Sequence, residues 1–185
     1  MSQLQMILLR EEAPAHLKAL CRAMRRDLDD VLAEFGLTPV EIDTPPAPGI
    51  VNAGEATLVL LDDTFNPVPV LIEGMLEAME EFDVVLGPSF DGRVYGAGFA
   101  SVGVDVAQEI LANMPHGTID SHREIIGKRG LRAFWHAPWY RGWDSSTLKF
   151  ALAHMRALEA SEDPDFTAIR TLKELATLDT GREQA

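Results

Sequence analysis

The chain has 185 residues, 46% hydrophobic and 24% charged, which is enough apolar material for one sizeable core and makes a single domain the expectation. A formal net charge of −13, from 16 Lys and Arg against 29 Asp and Glu, argues against a nucleic-acid partner, because duplex binding needs a concentrated cationic surface. The single cysteine, Cys21, excludes an internal disulfide and reads as a buried thiol. No stretch is apolar and long enough for a membrane span, and the apolar run within residues 1–9 is too short for a signal peptide. No membrane association and a cytoplasmic location are the expectations.

In chain order, residues 5–9 (QMILL) read as a first strand. Pro14 suits the first turn of a helix over 16–35, with Leu17, Leu20, Cys21, Met24, Leu28, Val31, Leu32 and Phe35 on one face and Gly36 as its stop. The opposite face carries Arg22, Arg25 and Arg26 before Asp27, Asp29 and Asp30, the pattern of a salt-bridged surface. A strand over 37–42 and a Pro-rich loop over 43–49 follow. Residues 57–61 (TLVLL) form a short apolar run that stops at Asp62-Asp63, as a buried parallel strand does at the rim of a sheet. After a turn at 64–67, Val70, Leu71, Met75, Leu76 and Met79 recur at helical spacing. A strand over 83–86 ends at Gly87-Pro88, which completes a βαβ unit.

Residues 93–100 read as a glycine-rich strand, in which glycine often marks close approach of a ligand or of another backbone. Helices are predicted over 104–113 and 119–128, a strand over 131–137 and a helix over 146–160. In the tail, 161–185, Asp163-Pro164 reads as a helix start before an apolar stripe of Phe166, Ile169, Leu172, Leu175 and Leu178. The predicted organisation is a domain over 1–160 and a helical extension over 161–185. That extension packs on its own domain or joins a homodimer or a partner protein.

Parallel α/β units place ligand sites at the carboxyl ends of their strands, where Asp62, Asp63 and Asp91 are expected to meet. Clustered carboxylates suit Mg²⁺ or Mn²⁺, which prefer oxygen ligands. Asp91-Gly92 reads equally well as a turn. Trp139, Tyr140 and Trp143 follow a strand and either stack a sugar or base or seal the end of a core. Asp144-Ser145-Ser146 also reads as a helix N-cap. The histidines fit no spaced zinc motif, and His122 and His154 fall on predicted helices whose exposed faces explain them.

The string DVVLGPSFDGRVYGAGF, with LVLLDDTFNPVPV upstream and the segment from Met114 to Leu148 downstream, resembles a family of small, mostly uncharacterised bacterial proteins with a glycosyltransferase-A-like fold. That family is similar to nucleotidyltransferases such as the guanylyltransferases of deazaflavin biosynthesis. The resemblance covers roughly 58–155 and implies a three-layer α/β/α sandwich around a mostly parallel sheet, as in nucleotide-diphospho-sugar transferases. It implies Asp63 and Asp91 as catalytic acids and metal ligands, and Asp62, Arg93, Tyr95, Trp139 and Asp144 as substrate-binding positions. A small-molecule or nucleotide-sugar ligand and Mg²⁺ or Mn²⁺ belong to the same implication.

The chain departs from that family where nucleotide is held. The first strand runs into Arg10-Glu11-Glu12-Ala13-Pro14, where the family has a glycine-containing loop with Lys and Arg for phosphates. A pocket-forming segment before residue 57 is absent, and Arg93 replaces a glycine. The expectation is a degenerate glycosyl- or nucleotidyltransferase-like protein acting as a binding or assembly module without efficient catalysis. The alternative is an active metal-dependent transferase using a nucleotide-activated donor.

Overall fold

Strands β1 (Leu4–Arg10), β2 (Val40–Asp43), β3 (Ala56–Leu61), β4 (Val84–Pro88), β5 (Val94–Phe99) and β6 (Ala133–Trp135) form one six-stranded sheet in the order β2-β1-β3-β5-β4-β6. The computed structural model describes residues 4–44, 46–52, 54–65, 69–100 and 102–182. Asn66 and Pro67 of the predicted turn lie outside them. Every strand is parallel to the rest of the sheet except β5, which pairs antiparallel with both β3 and β4. β4 leaves at Pro88 and the chain returns as β5 after five residues, a link long enough for a hairpin and too short for a parallel crossover. The βαβ unit therefore holds in direction, with β5 slotted between its two strands.

Strands covered on both faces are apolar at consecutive positions, which accounts for MILL and LVLL. On one face Met6, Leu8, Leu58 and Leu60 pack with Leu28, Val31 and Leu32 of α1 (Lys18–Glu34) and Ile72, Met75 and Met79 on and just beyond α2 (Val70–Ala78). The alternate residues Ile7, Leu9, Val59 and Leu61 face Val106, Ile110 and Leu111 of α3 (Val104–Asn113) and Ile126 of α4 (Ile119–Arg129). The result is the expected three-layer sandwich. Burying an apolar side chain of this size is worth about 1.5–3 kcal/mol, so these two interfaces supply most of the drive to fold.

The strand glycines make room for the protein's own side chains rather than for a ligand. A Cβ on Gly87 would lie 2.3 Å from Tyr95 Cζ, and one on Gly98 would lie 2.6 Å from Met79 Sδ. Two helix starts also differ from expectation. Ala15–Leu17 is a single 3₁₀ turn before α1, and the final helix, α6 (Ile169–Arg182), begins well after Pro164. Asp163 is spent on a turn instead, accepting from the amide of Asp165 through Oδ1 and from that of Phe166 through its carbonyl. Ile169 of the predicted stripe is 63% exposed, whereas Leu172 and Leu175 are buried.

α6 packs on α1 and on α5 (Ser145–Ala160) through Leu20, Met24, Leu152, Met155, Leu172 and Leu175. A buried carboxylate fastens this contact. Asp27 Oδ2 accepts from the Thr171 amide at 2.8 Å and from Thr171 Oγ1 at 2.7 Å, while Arg170 Nη1 donates to Oδ1 at 2.9 Å. Asp27 thus satisfies an amide at the start of α6 that its own helix leaves unpaired, and its charge faces the positive end of the helix dipole. Among the described residues no helix is long and apolar enough to cross a membrane.

Candidate functional site

Asp62, Asp63 and Asp91 lie at the carboxyl edge of the sheet. Asp62 and Asp63 follow β3, and Asp91 lies in the β4–β5 hairpin. Residues 138–142 run across this edge, bridging Ser89 through Trp139 and Thr64 through Arg141. That crossing carries Arg141 into the middle of the acids.

Arg141 is 1% exposed and Asp63 likewise 1%. Arg141 Nε and Nη2 both donate to Asp63 Oδ2, at 3.1 and 2.9 Å; Nη2 also donates to Glu11 Oε1 at 2.9 Å and Nη1 to the Val94 carbonyl at 3.0 Å. A guanidinium has five N–H donors and no acceptor, so a pair of carboxylates and a carbonyl is the partner set its burial demands. Asp63 Oδ1 is buried without a hydrogen-bond partner among the described residues. Burial pushes the Asp63 carboxyl up to about 6, with Arg141 pulling against that and the Glu11 charge adding to it. Asp62 is also pushed up to about 6 by burial, although its Oδ1 accepts the Glu11 amide at 2.8 Å.

Asp91 is closed by its own neighbour. Its Oδ1 accepts the Arg93 amide at 3.0 Å, the Asx-turn geometry of a hairpin tip, and its Oδ2 accepts Arg93 Nε at 2.7 Å. Burial opposes ionisation here, but the Arg93 bonds outweigh it and hold the carboxyl below its ordinary range. Arg93 also donates to the Pro115 carbonyl at 3.3 Å. A Cβ on Gly142 would lie 3.7 Å from Arg93 Nη2 and 3.9 Å from Asp63 Oδ2, so both groups flank one glycine, which itself adopts φ +93°. Acids and arginines alternate across the edge: Asp91, Arg93, Asp63, Arg141, Glu11.

The remaining positions are engaged in packing and capping. Tyr95 is a core residue, 1% exposed, whose hydroxyl meets His136 Nδ1 at 2.9 Å and the Ala137 carbonyl at 3.3 Å. Trp139 stacks on Tyr140 with ring centres 5.0 Å apart and donates its indole N–H to the Phe65 carbonyl. Asp144 caps α5: Oδ1 accepts the amides of Ser146 and Thr147 at 2.9 and 3.0 Å, and Oδ2 accepts Thr147 Oγ1 at 2.6 Å. Those bonds hold its carboxyl well below the usual range. Asp91 and Asp144 share an open hollow of about 410 Å³ with Phe90, Tyr140 and Phe150.

His122 corrects one expectation. It is fully buried rather than on an exposed helix face, with Nδ1 2.8 Å from the Thr118 carbonyl. His154 is half-buried among Trp139, Tyr140 and Phe150. Among the described residues no group of three or more His, Cys, Asp or Glu is arranged to hold a metal ion.

Solved structures share this architecture. A candidate nucleotide-diphospho-sugar transferase from Desulfovibrio desulfuricans G20 superposes with a TM-score of 0.67 over 96% of this chain and 97% of that one, at 16% identity. The fold is that of the nucleotide-diphospho-sugar transferases. A 4-diphosphocytidyl-2C-methyl-D-erythritol synthase from Anaerococcus prevotii DSM 20548 shares this transferase fold, with a TM-score of 0.55 over 84% of this chain and 99% of that one, at 6% identity. So does a manganese complex of a Mycobacterium tuberculosis H37Rv protein, with a TM-score of 0.52 over 82% of this chain and 99% of that one, at 12% identity. No protein-family model and no curated protein matches the sequence.

Arg141 is the site residue that sequence reasoning missed. Its signal was weak and misleading: an arginine between aromatics and a glycine, whose acid three positions on, Asp144, is taken up in capping α5 instead. Glu11, read only as a neighbour of Arg10, is the second.

Proposed function

We propose that this chain is a transferase-fold binding module in which an internal ion pair stands where a catalytic metal centre would form. The observation that carries this reading is the buried Arg141 guanidinium, which takes Asp63 Oδ2 through two donors while Arg93 takes both oxygens of Asp91. A divalent cation binding at Asp63 and Asp91 would have to displace the Arg93 guanidinium from Asp91 and, reaching Asp63 only through Oδ1, would lie beside the buried positive charge of Arg141. These residues do not fit Mg²⁺ or Mn²⁺, and Asp144 does not add to them, because both its oxygens serve the start of α5. Charge neutralisation at a leaving pyrophosphate or nucleoside diphosphate is the largest contribution such a transferase makes, and no free carboxylate pair is left here to organise it.

The active-transferase reading keeps one observation in its favour, the unpartnered Asp63 Oδ1. Turnover separates the two. Incubated with nucleoside triphosphates or nucleotide sugars and Mg²⁺ or Mn²⁺, the chain is expected to release pyrophosphate or nucleoside diphosphate no faster than the Asp63→Asn variant. Metal-dependent release that Asp63→Asn abolishes would restore the transferase.

A further inference from the structure

An open hollow of about 480 Å³ lies between the first half of α1 and the carboxyl ends of β1 and β3. β1 continues through α1 to β2 on one side and pairs with β3 on the other, so the hollow sits where the strand order reverses. That is the general ligand position of open α/β sheets. Its wall includes Arg10, Lys18, Arg22, Arg25 and Arg26, five of the 16 Lys and Arg in a chain of net charge −13.

The expected salt-bridged surface holds for only part of this group. Arg25 pairs with Asp29 and Glu41, and Arg10 with Glu41 and Asp43. Of the acids beside them, Glu11 is taken by Arg141 and Asp62 by the Glu11 amide. Lys18, Arg22 and Arg26 have no ion-pair partner among the described residues, and of the lining acids only Glu12 and Asp62, whose hydrogen bond is to a neutral amide, are left outside an ion pair to offset them.

Their placement is costly for the helix itself. Lys18, Arg22 and Arg26 follow one another at i, i+4 and i+8, and each like-charged i, i+4 pair costs about 0.2–0.5 kcal/mol. Lys18 is also the first residue of α1, whose first turn holds no acid, so a cation sits at the positive end of the helix dipole. An anion in the hollow removes both penalties at once. Neighbouring members of the ladder are about 6 Å apart along the axis and the outer two about 12 Å. Side chains of this length converge from that span onto linked phosphates, and guanidinium forks match phosphate oxygens in pairs.

We propose that this hollow binds a small oligophosphate through Lys18, Arg22 and Arg26. Binding there needs no catalysis. The turnover assay above and the titration below therefore fail independently.

Calorimetric titration with sodium tripolyphosphate tests it, comparing the full chain with Arg22→Ala/Arg26→Ala, both exposed positions, and with Arg123→Ala on α4, which pairs with Asp120. Losing two charge-assisted contacts is expected to weaken binding at least about tenfold in the double variant and to leave Arg123→Ala unchanged. Cys21, the only cysteine and part of the same wall, gives a second readout: tripolyphosphate should slow its alkylation in the wild type and not in the double variant. No binding by the wild type, or equal affinity in the double variant, overturns the site. Citrate binding as tightly as tripolyphosphate overturns its assignment to phosphate.

Discussion

Replacing Arg141 with methionine should lower the free energy of unfolding by about 3–5 kcal/mol, the usual cost of stranding a buried charge. Three acceptors lose their donor at once: Asp63 Oδ2, Glu11 Oε1 and the Val94 carbonyl. The loss should be smaller at pH 5 than at pH 8. Asp63 is already pushed up to about 6 with the guanidinium present, and without it the carboxyl rises further. A carboxyl whose folded pKa lies above its unfolded value takes up a proton on folding, so stability falls as pH rises through that interval. Urea denaturation at the two pH values measures this. Adding Asp63→Leu to Arg141→Met should recover part of the loss, since the unpaired acid goes with its partner. A penalty under about 1 kcal/mol, typical of exposed ion pairs, would mean that the pair is not held as described.

Asp27→Ala should cost about 2–4 kcal/mol and act on one element. It leaves the Thr171 amide and hydroxyl without their acceptor in a buried contact, while Arg170 keeps Asp30 at 2.6 Å. α6 should then open before the sheet does. Hydrogen exchange would show early loss of protection confined to the amides of α6 and the face of α1 beneath it. Asp27→Asn retains an acceptor oxygen and should lose less. Exchange rising uniformly over the chain would contradict a local role.

The sheet was legible because apolar runs, β-branched residues and Gly-Pro punctuation are local signals, and all six strands fall where such runs were read. The antiparallel insertion of β5 was not, since it depends on the length of the link after Pro88 rather than on the composition of the strand. Among the site residues, the cap at Asp144 and the turn at Asp91-Gly92 follow from chemistry within three positions and could be read directly. Arg141 could not. Its partners lie 78 and 130 residues away, beyond any helical or strand periodicity. His122 failed for a related reason, because the helix pattern gave its spacing but not the packing that buries it. The cation ladder on α1 shows the opposite error. Acids at the right spacing were present in the sequence, but Asp29 turned to Arg25, and Asp27 and Asp30 turned to Arg170.

The replacement of a metal centre by guanidinium groups is tested most directly by titrating Mn²⁺ into the wild type, Asp63→Asn and Asp91→Asn and reading bound Mn²⁺ by electron paramagnetic resonance. All three proteins should bind Mn²⁺ equally weakly, because Asp63 and Asp91 are already held by Arg141 and Arg93. Mn²⁺ binding that is tight in the wild type and lost in both variants would contradict the account.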